Sequence, residues 1–188
     1  MTEPRQTIRF ATSFDGVRIA YAITGRGSPV VRAPTLLTHV EYDWQSTMSR
    51  HWVSELSSRH TYLRLDPRAV GASQWDVAEF SFDAIVRDLE AAVDAAGFAR
   101  FDLLGTSFGP AVAIAYAARH PERVGRLFLY GSYCRGALKR GPMTPEQIER
   151  AQLYISSRNS VGTATTRRCA RCSRRNGYRA AAKSSGTR

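Results

Sequence analysis

The stretch Phe101–Val124, FDLLGTSFGPAVAIAYAARHPERV, places a serine between two glycines at the join of two differently patterned runs. Phe101–Gly105 is apolar and reads as a strand. Ala111–Arg119 is nearly all small and apolar, which reads as a helix buried against a sheet. Between them lies Gly105-Thr106-Ser107-Phe108-Gly109, a G-x-S-x-G pattern. The spacing has a steric reason. A serine on a sharp strand-to-helix turn projects its hydroxyl above the sheet, and side chains two residues either way would collide with the crowded backbone. Such a turn also aims backbone N–H groups at a reacting oxygen. The N–H of Phe108, at the helix N-terminus, is the first expected oxyanion donor. Pro110 falls in the first helical turn, where its missing N–H costs little. The pattern therefore predicts a nucleophile elbow with Ser107 at its tip. The bland alternative is a glycine-rich strand–helix junction with an idle serine.

Working outward, short β-branched runs alternate with helix-period runs. Thr7–Thr12 and Arg18–Thr24 read as two strands joined by an Asp15-Gly16 turn. Further strands are expected at Pro29–Ala33, Thr61–Leu65 and Arg126–Tyr130. The clearest helix runs from Ser81 as N-cap to Gly97 just past its end. Phe82, Ile85, Val86, Leu89, Ala92, Val93 and Ala96 form its apolar stripe. A last helix is expected over Thr144–Ser157, with Thr144 as N-cap, Pro145 at the first helical position and Gln147 closing a capping box. A hairpin followed by strand–helix alternation predicts an α/β domain, mostly parallel, with helices on both faces.

The chain's 188 residues suit one domain with a real core, and 43% of them are hydrophobic. No run approaches the roughly 20 apolar residues that span a bilayer, and MTEPRQTIRF carries no apolar signal stretch. A cytoplasmic protein with no membrane partner is expected. Cys134, Cys169 and Cys172 are too few for a disulfide framework. The net charge of +11 is unevenly spread: eight of the 27 basic residues and none of the 16 acidic ones lie from Val161 onward, which leaves the preceding 160 residues at +3. The expected organisation is a core over residues 1–140, a helix opening a cap or connecting region over 141–158, and a basic tail over 159–188. The tail has no apolar periodicity and reads as disordered.

The stretches SFDGVRIAYAITGRG, RAPTLLTHVEYDW, LDPRAVGASQWD, FSFDAIVRDLEAAVDAAGFARFDLLGTSFG and AARHPERV together resemble the N-terminal part of the α/β-hydrolase fold, from about Arg9 to Lys139. More narrowly, they resemble hydrolase-like domains associated with bacterial adenylate cyclases and LuxR-type regulators. The resemblance implies an incomplete α/β-hydrolase sheet and a serine hydrolase acting on an ester-like small molecule. It also implies a second oxyanion N–H after the third strand, where most such hydrolases carry His-Gly. This chain has Pro34-Thr35-Leu36 there, and Leu36 is the donor by position. After the fourth strand the family's D-x-R-G-x-G-x-S stands as Asp66-Pro67-Arg68-Ala69-Val70-Gly71-Ala72-Ser73, with Ala69 in place of a glycine.

A serine hydroxyl needs a general base, and in this fold the order is Ser, then Asp or Glu, then His. His120 is the only histidine after Ser107. A helix rising about 1.5 Å per residue puts it roughly 18 Å from the elbow. A place at the helix C-terminus is expected for it instead. His39 belongs to the loop after the third strand, as loop packing or pocket lining. His51 and His60 read as surface or structural residues. No carboxylate lies near Gly131–Tyr133, where the acid would fall. Asp66, Glu41 and Asp43 sit on active-site-side loops but upstream of the serine. The triad acid and histidine are thus absent, and the chain is expected to be inactive alone. The tail's composition is what GC-rich coding DNA gives when read out of frame, so truncation or a frameshift is the favoured expectation.

Two sharper readings of RRCARCSRR (Arg167–Arg175) are weaker. Its Cys169-x-x-Cys172 supplies half of a zinc site, and no second pair exists. A basic arm binds nucleic acid weakly and non-specifically through its charge alone, but only Tyr178 interleaves it. No cofactor, metal or specific nucleic acid is expected. The partner expected is a small-molecule substrate or ligand. The alternative function is a non-catalytic ligand-sensing or interaction domain of a bacterial regulator. The sixth strand would leave an open sheet edge, which invites self-association.

Overall fold

The computed structural model describes residues 6–133, 141–150 and 152–153. The first two strands, β1 (Thr7–Thr12) and β2 (Arg18–Thr24), form an antiparallel hairpin. Its tight turn uses Gly16 at φ +84°, a conformation glycine adopts without steric cost. There follow β3 (Ser28–Arg32), α1 (Arg50–Arg59), β4 (His60–Leu65), α2 (Phe82–Ala96), β5 (Phe101–Thr106), α3 (Gly109–Arg119) and, after a short 3-10 turn, β6 (Val124–Tyr130). The sheet order is β1-β2-β4-β3-β5-β6. β2 pairs with β4 antiparallel, and the β4–β3–β5–β6 portion is parallel throughout.

Period-two alternation divides the central strands between two faces. Val31, Leu63, Leu65 and Leu103 bury against α2 and α3, together with Ile85, Leu89, Val93, Val112 and Tyr116. Val30 and Tyr62 bury on the other face against Val53 of α1, with Leu56 and Trp44 alongside. The expected α/β architecture with helices on both faces is present. Helix α2 begins and ends where its caps dictate. The Ser81 side chain accepts the Ala84 N–H at 3.1 Å, and Gly97 closes the helix at φ +72°.

Two expectations about side chains need correcting, and one buried charge adds to them. Phe82, the first residue of α2, is 46% exposed and stands outside the buried stripe. Asp88 was no part of the predicted stripe, yet it is fully buried by its partners Arg68 and Ser13. Helix α3 buries only one face: Val112, Ala113 and Tyr116 are inside, while Ile114 is 49% exposed.

Thr144 and Gln147 form the expected reciprocal capping box, with Pro145–Arg150 helical behind it. The end of that helix, Cys134, the 159–188 tail with Cys169 and Cys172, and the frameshift reading lie outside the described residues. Among the described residues, β6 forms one edge of the sheet, with Leu127, Phe128, Leu129 and Tyr130 exposed. No helix among them is long and apolar enough to cross a membrane.

Candidate active site

The turn between β5 and α3 holds Ser107 at φ +59°. A non-glycine residue in that region stores backbone strain of about 1–3 kcal/mol, and the packing around the turn enforces it. A Cβ at position 105 would stand 2.7 Å from Pro110 Cα and 2.8 Å from Pro110 N. One at position 109 would stand 3.2 Å from the Ala33 carbonyl oxygen. Glycine at both positions lets the strand, the helix and the loop after β3 close on one point. The Ser107 N–H donates to the Tyr130 carbonyl at 3.2 Å, and the Ala33 N–H to the Leu104 carbonyl at 2.9 Å. Ser107 itself is exposed.

Ser107 borders a cavity of about 390 Å³ at the C-terminal ends of the parallel strands. Leu36 and Phe108, the residues expected to carry the oxyanion donors, border the same cavity. Phe108 is the N-cap of α3, at the helix end where N–H groups lack intrahelical acceptors. The remaining walls include Leu37, Met48, Trp52 and Tyr130, and Arg32 lines the cavity with them. A second concavity, about 540 Å³ between β1 and α2, shares no residue with this one. Ser107 decides between them, because it is the residue on a strained, hydroxyl-presenting turn.

No histidine or carboxylate borders the Ser107 cavity among the described residues. His120 sits beyond the far end of α3, its Nε2 3.0 Å from Glu90 Oε1 and its ring 4.8 Å from that of Tyr116. His60 starts β4, at the opposite end of the sheet, and pairs with Ser28 Oγ at 2.8 Å. His51 is exposed at the start of α1. His39 is buried, its Nδ1 accepting the Glu41 N–H and its ring 4.5 Å from that of Tyr42. Burial lowers its pKa and so favours the neutral imidazole.

Two of the upstream carboxylates, Asp66 and Asp43, hold the fold. Asp66 accepts N–H groups from Val40 and Ala72, tying the loop after β3 to the turn after β4. Complete burial pushes its carboxyl up to about 7 against the pull of those N–H groups. Asp43 receives Arg32 Nη2 at 3.1 Å and Arg64 Nη1 at 3.0 Å. Glu41 donates its N–H to His39 and does not border the cavity. Ala69 adopts φ +58°, so the turn keeps the left-handed geometry its family pattern assigns to glycine. Arg68, fully buried, bridges Asp88 at 2.8 Å and Asp15 at 2.6 Å, which fastens the same turn to α2 and to the hairpin.

Two of these features lie outside the sequence motifs described above. The Arg32–Asp43–Arg64 cluster was signalled by arginines inside the apolar runs PVVRA and TYLRL. Asp88 was signalled by its place three residues after Ile85, on the buried arc of α2. No group of three or more metal-ligating side chains occurs among the described residues.

The chain is similar to a pyrrolizixenacetamide deacetylase of Xenorhabdus hominickii, 31% identical over 116 residues, 62% of this chain and 42% of that protein. It is also 46% identical over 79 residues to a 2-hydroxymuconate semialdehyde hydrolase of Pseudomonas sp. strain CF600, 42% of this chain and 28% of that one. Among solved structures, Cfl2 of Burkholderia cenocepacia superposes with a TM-score of 0.61 at 25% identity, covering 80% of this chain and 50% of that one. The epoxide hydrolase CorEH shares the fold with a TM-score of 0.65 at 21% identity, covering 86% of this chain and 55% of that one. The chain thus spans about half or less of the length of these proteins. The family model of the alpha/beta hydrolase fold matches residues 26–161, and the chain belongs to that family.

Proposed function

We propose that this chain carries the nucleophilic half of an α/β-fold serine hydrolase for ester-like small molecules. Ser107 Oγ is the attacking atom. The backbone N–H groups of Phe108 and Leu36 receive the oxyanion that forms as the carbonyl becomes tetrahedral. The observation that carries the reading is the convergence of Ser107, Phe108 and Leu36 on one cavity, with Ser107 held at φ +59° between two glycines. Attack transfers the serine proton to a base, expels the alcohol and leaves an acyl-serine, which water then hydrolyses. The chain's four histidines are His39, His51, His60 and His120, and none borders the cavity. The 188 residues therefore acylate slowly and turn over poorly by themselves. A deacetylase and a semialdehyde hydrolase among the relatives support small organic substrates. The resemblance to domains associated with cyclases and LuxR-type regulators supports a bacterial regulatory setting.

The test is incubation of the full chain with p-nitrophenyl acetate, followed by peptide mass spectrometry. The reading predicts an acetyl group on Ser107, absent in Ser107→Ala, without sustained turnover. An acetyl group confined to other residues would refute it. Saturable binding of small ligands without any acylation would point instead to the sensing role.

A further inference from the structure

We propose that the cavity beside Ser107 selects substrates carrying a carboxylate, and that Arg32 is the residue that recognises it. The inference rests on that cavity being the substrate site. Arg32 is its only charged lining residue among the described residues. Strand alternation explains the placement: Val31 enters the core beneath α2 and α3, so Val30 and Arg32 face α1. Met48, Ser49 and Trp52, just before and within the first turn of α1, border the cavity on that side.

The guanidinium is fixed in place. Its Nη2 reaches Thr38 Oγ1 at 3.0 Å and Asp43 Oδ2 at 3.1 Å. The residue is 8% exposed. Asp43 Oδ2 also takes Arg64 Nη1 at 3.0 Å, so two guanidiniums share one carboxylate. The next carboxylate, Asp66, is turned to the Val40 and Ala72 amides. Asp66 attracts Arg32 through space but makes no ion pair with it, so the carboxylate that pairs with Arg32 is the one it shares with Arg64. A buried guanidinium that shares its paired carboxylate gains from a second anion, and one arriving from the cavity would supply it. A carboxylate matches the planar donor edge of a guanidinium in shape as well as charge. The larger side chains of the other walls, Leu36, Leu37, Met48, Trp52, Phe108 and Tyr130, are apolar or aromatic, and the small Thr35, Ser49 and Thr106 stand among them. The ligand that fits has an apolar body and a single carboxylate.

The test compares benzoate with benzamide, equal in shape and different in charge, by calorimetry on the full wild-type chain and on Ser107→Ala. Both proteins are expected to prefer benzoate at least about tenfold. Arg32→Gln is expected to lose that preference and Arg32→Lys to keep part of it. In 15N-labelled wild type, benzoate is expected to shift the Arg32 Nε–H resonance and benzamide to leave it in place, a readout that needs no variant. Equal binding of the two probes, no binding of either, or an undiminished preference in folded Arg32→Gln would each overturn the proposal. Acetylation of Ser107 is measured separately, so a failed nucleophile and a failed carboxylate site give different results.

Discussion

The backbone N–H of Ser107 donates to the carbonyl of Tyr130 at 3.2 Å, which fastens the tip of the elbow to the last residue of β6. That bond, with the two flanking glycines, holds a left-handed serine in place against its preference. Ser107→Gly is expected to raise stability by up to about 1 kcal/mol by relieving the strained φ, while abolishing acetylation at that position. Gly105→Ala is expected to do the reverse, costing about 2–3 kcal/mol because its Cβ meets backbone that cannot swing aside. Urea unfolding of both variants checks the contrast.

Ala69 and Gly71 make a second contrast within one turn. Both have positive φ, +58° and +55°. Ala69→Gly is expected to be neutral or to stabilise by about 0.5 kcal/mol, as the left-handed penalty is removed and some unfolded-state entropy is gained. Gly71→Ala is expected to cost at least about 3 kcal/mol, because its Cβ would fall on the buried carboxylate of Asp66. Thermal melts of the two variants separate these outcomes.

Asp66 makes stability depend on pH in a direction unusual for an acid. Its folded pKa, about 7, lies above the ordinary value of 3.8, so the folded state holds a proton that the unfolded state has released. The contribution is fully present below about pH 4 and is lost as pH rises to about 7. His39 works the other way: its pKa is lowered from 6.5, so its contribution is present above that value and is lost as pH falls. Asp66→Asn is expected to remove the loss on the alkaline side. The stability difference between wild type and this variant, measured by urea unfolding at pH 5 and pH 8, should shift against wild type at the higher pH. A difference independent of pH would contradict this assignment.

The exposed β6 residues predict self-association. Leu129 is 41% exposed and Tyr130 67% exposed on β6, the edge strand among the described residues. An unpaired apolar edge is a template for another strand. Sedimentation velocity on the full chain is expected to show concentration-dependent oligomers, reduced by Leu129→Lys. A monomer at all concentrations would rule the edge out as an interface.

The strands and the elbow were legible because their signals are local. Alternation, caps and turn glycines act over a few residues, and Ser81, Gly97, Gly105 and Gly109 each do in space what their types imply. The buried charges were less legible because their meaning is non-local. Arg32, Asp43 and Arg64 come from two strands and a loop, and no pattern within any one segment announces that they meet. Asp88 lies in a helix whose stripe reads as apolar, and its partners Arg68 and Ser13, 20 and 75 residues away, explain its burial. The single-faced burial of α3 likewise depends on which neighbours cover it, which its near-uniform apolar sequence does not encode.

The central claim is a presented hydroxyl without an imidazole beside it, and chemical rescue tests it most directly. The rate of p-nitrophenyl acetate hydrolysis by wild type, minus that by Ser107→Ala, is measured as imidazole is added. The predicted difference is close to zero without imidazole and rises to saturation as imidazole fills the cavity. A Ser107-dependent turnover that is already complete without imidazole, or a difference that stays at zero throughout, would contradict it.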